Sequence, residues 1–112
     1  MIDLHQLNPA RTVDIDLGTA GGANLVGRDW VVEAMTNEFV AQGFAQVLID
    51  EPFAAKNPRT MAASTALACG IPSVQVEINS RYLAPGYADF APWRVYAALE
   101  RIIRRLDEEV AR

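Results

Sequence analysis

The chain has 112 residues, one domain's length, and can bury ~60–70% of the surface it exposes when unfolded. Its residues are 51% hydrophobic and 21% charged, which excludes a disordered chain. A net charge of −4, with Lys56 the one lysine, offers no phosphate-binding surface and argues against a nucleic-acid partner.

Residues 2–5 read as a short strand. The segment lacks the basic region and apolar run of a signal peptide. No apolar stretch approaches the ~20 residues of a membrane span, so a cytoplasmic location is the expectation. Val13 to Leu17 alternates as Val-Asp-Ile-Asp-Leu and predicts a second strand. The glycine-rich run from Gly18 to Asn24 has neither a P-loop lysine nor a G-x-G-x-x-G pattern, so it predicts a mobile loop or turn.

A helix is predicted over 28–42, because Val31, Met35 and Phe39 recur every four residues and Gly43 can end it. The continuous run Val47-Leu48-Ile49 predicts a central strand. Asn57-Pro58 predicts the start of a second helix, running to about Cys69 and stopped by Gly70. Cys69, the single cysteine, has no disulfide partner in the chain and reads as a buried structural thiol.

A strand follows over 73–79, with Val74, Val76 and Ile78 on one face and Gln75, Glu77 and Asn79 on the other. Pro92 then opens a long helix with an apolar stripe of Val95, Leu99, Ile102, Leu106 and Val110. Its arginines 101, 104, 105 and 112, set among Glu100, Asp107, Glu108 and Glu109, predict a solvated, salt-bridged face. Trp30, Trp93, Tyr82 and Tyr96 read as packing residues. The order helix, strand, helix, strand, helix predicts an α/β fold, three-layer α/β/α, with a mostly parallel or mixed sheet.

Three predicted strands carry polar faces: Asp3 with His5, Asp14 with Asp16, and Gln75 with Glu77 and Asn79. Such faces are costly under helices unless paired or solvated, and their natural use is ligand binding. His5, the one histidine, reads either as a metal ligand or acid/base group, or as an exposed residue near the N-terminus. Glu77 reads either as a general acid or base, or as the ion-pair partner of Arg81 or Arg59. Asp14 and Asp16 read either as cation ligands or as the alternating acids of an edge strand.

Two motifs suggest a family. Ile2-Asp3-Leu4-His5, with Asp14-Ile15-Asp16-Leu17-Gly18-Thr19, resembles a segment of N-formylglutamate amidohydrolase-like proteins. Gly70 to Tyr82 is similar to that family's "G-[IV]-x-A-[LV]-Q-[LIV]-E-[IL]-N-R" signature, with Ser80 inserted before Arg81. Asp50-Glu51-Pro52-Phe53 and Asn57-Pro58-Arg59-Thr60 lie where the family carries a substrate-facing loop.

The resemblance implies a partial zinc-carboxypeptidase-like fold and a zinc-dependent amide hydrolase acting on N-acyl amino acids or peptide-like substrates. It implies His5 as a zinc ligand and Glu77 as the proton shuttle. Arg81, Asn79 and Arg59 would hold a substrate carboxylate. It covers the second half of the family's domain, so the chain is expected to supply part of a metal site. The alternative is a non-catalytic binding or assembly module descended from that fold. Under either, a homo-oligomer that covers an apolar strand edge, at Val47 to Ile49 or its neighbour, is expected.

Overall fold

The computed structural model describes residues 1–111. It is an α/β fold with strands β1 (Ile2–Leu7), β2 (Ile15–Gly18), β3 (Val47–Ile49) and β4 (Val74–Asn79). Its helices are α1 (Trp30–Ala41), α2 (Met61–Cys69) and α3 (Pro92–Ala111). Arg112 lies outside the described residues, as does the side chain of Val110.

The sheet order is β1-β4-β2-β3. β1 runs parallel to β4 and β2 parallel to β3, while β2 and β4 are antiparallel, so the sheet is mixed. The three-residue β3 is an edge strand, not the central strand its apolar run predicts. Val47 and Leu48 are half-buried there, and Ile49 is exposed. β2 is central, so Asp14 and Asp16 are not the acids of an edge strand; both are buried.

Alternation divides the sheet into two faces. Ile15, Leu17, Val74, Val76 and Ile78 turn one face toward α1 and α3, against Val31, Met35, Phe39, Val95, Ala98 and Ile102. Burying each large side chain of this set contributes about 1.5–3 kcal/mol. Phe44 joins them with its ring 4.9 Å from Tyr82, edge to face. Buried Glu38 of α1 receives Arg101 at 3.1 Å and Arg105 at 3.5 Å. Two of the arginines expected on a solvated face therefore join α3 to α1. Arg104 instead pairs with Glu100 within its own helix at 2.7 Å, a contact contributing about 0.3–0.5 kcal/mol.

Helix α2 begins at Met61, later than Asn57-Pro58 suggests. The Asn57 side chain accepts from the Arg59 N–H and shapes a turn before the helix. Thr60 is the cap: it is extended (φ −65°, ψ 149°) and its Oγ1 accepts from the Ala63 N–H at 3.2 Å. Thr60→Ala is expected to cost about 1 kcal/mol, read as a lower urea midpoint by circular dichroism.

The alanines 62, 63 and 66 of α2 are buried, apart from the core under α1 and α3. Helix α2 touches β1 and β4, and its preceding loop packs Ala55 against Gly18, so it supplies the third layer. Cys69 is exposed rather than buried, because it ends α2 beyond those alanines. Among the four large aromatics only Tyr82 is buried. Trp30, Trp93 and Tyr96 stand on outer helix surfaces instead of packing inside.

Candidate functional site

The face turned away from α1 and α3 is polar. Registry sets His5, Glu77 and Asp16 in one row across β1, β4 and β2, and Asp3, Gln75 and Gly18 in the next. His5 Nε2 lies 2.7 Å from Asp3 Oδ2. Gln75 donates its amide N–H to Glu77 Oε1 at 3.0 Å. Glu77 is buried, while His5, on the edge strand, keeps 45% of its side-chain surface exposed. The row therefore runs from solvent at His5 to the interior at Asp16.

Burial pushes the Glu77 carboxyl above the usual range. His5 and the Gln75 bond pull it down, and the Asp16 and Asp3 charges push it up. Asp16 is raised as well, first by burial, against which the Phe53 and Glu51 N–H groups act. Through those two bonds, at 2.8 and 3.0 Å, Asp16 fixes the loop after β3, which is a structural role. Asp50 does the same for the glycine-rich loop. Its carboxylate accepts from the Thr19 N–H and hydroxyl and the Gly21 N–H, all within 2.9 Å.

Asn79 and Arg81 belong to a second cluster at the carboxyl end of β4. The Asn79 amide donates to the Arg11 and Val13 carbonyls, both at 3.0 Å, and its oxygen accepts from the Arg81 N–H. Asn79 thus ties down the connection from β1 to β2 and starts the 3-10 turn Ser80–Tyr82. The Arg81 guanidinium binds Asp14 in close contact, and it donates to the Arg11 carbonyl at 2.8 Å. Asp14 also accepts from the Tyr82 hydroxyl at 2.6 Å and from the Ala45 and Gln46 N–H groups. Arg59 stands elsewhere again, exposed in the turn before α2.

The structure therefore brings His5 and Glu77 together, sets Asn79 and Arg81 around Asp14, and leaves Arg59 apart. Arg81 pairs closely with Asp14 and, at 3.6 Å, with exposed Asp89, and not with Glu77. The Asp3–His5 contact and the Gln75 brace on Glu77 were legible as same-face neighbours two residues apart on a strand. The Asp14 anchor had no local signal, because its partners lie 31 to 68 residues away.

The donors present do not make a zinc site by themselves. His5 spends Nε2 on Asp3, and no three His, Cys, Asp or Glu side chains are grouped for a metal among the described residues. Fold and site define an α/β protein with a mixed four-stranded sheet and an acid/base cluster on one face. No family model matches the chain, and no curated protein or solved structure matches it. Among the described residues, no helix is long and apolar enough to cross a membrane.

Proposed function

We propose that the face bearing Asp3, His5, Gln75 and Glu77 hydrolyses an amide bond of an N-acyl amino acid or peptide-like substrate. One observation carries this reading: the Asp3–His5 hydrogen bond lies beside a buried glutamic acid whose pKa is raised. Asp3 holds the imidazole with Nε2 toward itself, so Nδ1 is the ring nitrogen able to take a proton from water. The resulting hydroxide attacks the carbonyl carbon. Glu77, whose burial favours the protonated form, is the group placed to give a proton to the departing nitrogen. Gln75 occupies Oε1 and so fixes the orientation of that acid.

A cytoplasmic setting and a homo-oligomer accompany the proposal. The zinc implied by the family resemblance is proposed only as an ion shared with donors from outside the chain, and elemental analysis of the purified protein tests it. The experiment for the reaction is release of free amine from N-formyl and N-acetyl amino acids and short peptides. We expect release that His5→Ala lowers by ~10²-fold or more. No release from any substrate, with or without added zinc, would sink the hydrolase reading. A non-catalytic binding or assembly module would then remain. One observation favours that second reading: Arg81, the cation suited to a substrate carboxylate, is committed to Asp14.

A further inference from the structure

β1 is an outer strand of the sheet, and no strand pairs with its far side among the described residues. The Met1 carbonyl accepts from the Val74 N–H at 3.0 Å. Backbone alternation therefore points the N–H and C=O groups of Ile2, Leu4 and Gln6 outward. The six-residue strand has no lysine and no proline, its register with β4 is continuous, and Asp3 is its one acidic side chain. The opposite edge, β3, is half as long, with three residues.

The helix-side surface next to β1 is mainly apolar and partly exposed. Helix α3 carries two apolar stripes. Val95, Ala98 and Ile102 enter the core and Leu99 and Leu106 pack half-buried against it, while Tyr96 and Ile103, spaced with those two leucines as in a helix-pairing seam, stand exposed. Tyr96 is 65% exposed, Ile103 58% and Leu4 54%. A cavity of about 340 Å³ lies between β1 and α3, lined by Leu4, His5, Gln6, Ile78, Tyr96 and Leu99 among others. Patches of this kind mark interaction surfaces.

We propose that this surface joins two copies of the chain about a two-fold axis, β1 antiparallel to β1, giving one eight-stranded sheet with the two α3 helices side by side. Side-chain chemistry and backbone direction select the register. A two-fold axis sets one residue of β1 opposite itself. Centring on Asp3 would oppose two carboxylates, and centring on His5 would oppose two imidazoles. Centring on Leu4 sets Leu4 against Leu4 on the apolar face and each Asp3 against a His5 of the second copy on the polar face. It also makes Leu4 a hydrogen-bonded pair, as its outward backbone groups require, and sets Ile2 with Gln6. Asp3 and His5 then meet in the closer, non-hydrogen-bonded pairs, where a carboxylate acceptor faces an imidazole rather than a second carboxylate. Paired strands stand ~4.8 Å apart. Helix α3 shares a cavity with β1 on one side of the sheet, so the two-fold axis sets both α3 helices on the same side of the joined sheet.

This pairing does not depend on the proposed hydrolysis. Light scattering on the full chain is expected to give a two-chain mass; a one-chain mass at every concentration would overturn the proposal. Leu4→Pro removes one outward N–H and leaves the bonds to β4 in place. It is expected to give a one-chain mass with an unchanged circular dichroism spectrum. Ile49→Lys, on the β3 edge, is expected to leave the two-chain mass.

A cross-linking arm covers the case in which Leu4→Pro fails to fold. In a Cys69→Ser background, Leu4→Cys sets two thiols in a pair whose Cα atoms lie ~5.5 Å apart, within disulfide reach. Mild oxidation should convert Leu4→Cys, and not Gln6→Cys, to a linked dimer on a non-reducing gel. Cross-linking through Gln6→Cys alone, or dissociation by Ile49→Lys and not by Leu4→Pro, would overturn the proposal.

Discussion

Asp14→Ala is expected to cost about 3–5 kcal/mol, the range for removing one partner of a buried ion pair. The carboxylate is 4% exposed and receives the Arg81 guanidinium, the Tyr82 hydroxyl and two backbone N–H groups. Alanine strands the Tyr82 hydroxyl and the two backbone N–H groups, and leaves the guanidinium with the longer contact to exposed Asp89, at 3.6 Å, as its counter-charge. A domain of this size has about 5–15 kcal/mol of stability in total, so this loss brings it close to unfolding at ambient temperature. Urea denaturation measures the loss. A double variant, Asp14→Ala with Arg81→Met, removes both charges and should recover part of it, since the part-buried cation that has lost its close partner is gone. If the double variant loses the sum of the two single losses, the pair is not the source of the stability.

Glu77→Gln is expected to lower amine release by ~10²–10⁴-fold, the usual contribution of a positioned acid or base. The same change should raise stability, with a definite pH dependence. Burial raises the Glu77 pKa above the ordinary 4.5, so the folded protein keeps this proton to higher pH than the unfolded chain does. The stability linked to that proton is complete below the ordinary pKa and is lost as pH rises through the folded one. Glutamine has no proton to lose, and its carbonyl can still accept the Gln75 amide. The variant should therefore be more stable than the parent at mildly alkaline pH. The gap should close as pH falls below the usual carboxylate range. Urea midpoints across pH test the sign: a gap that widens toward acid would contradict the assignment of Glu77 as the raised group.

The sequence carried the elements and the polar faces, but not their arrangement. Period-two alternation in 74–79 and four-residue spacing in α1 are local, and both translate directly into buried faces. Strand order is not local. β4 enters the sheet between β1 and β2, and only the registers of Glu77 with His5 and with Asp16 reveal the row that results. Arg81 shows a second limit. It lies just past the strand, in a turn started by the Asn79 side chain, so counting along the strand cannot give its direction. Cys69 shows a third: small apolar neighbours suggest burial, yet the last position of α2 is exposed.

β1 and β4 are separated by more than 65 residues, yet they are neighbours in the sheet. β1 therefore leaves the ribosome well before β4 and must wait for it before its inner edge is satisfied. Folding of this kind closes a long loop late and is slow for the size of the chain. During that interval both edges of β1 are open, and the first partner to arrive need not be β4 of the same molecule. High expression rate, which crowds such unfinished chains together, is therefore expected to raise the share of strand-exchanged and aggregated protein.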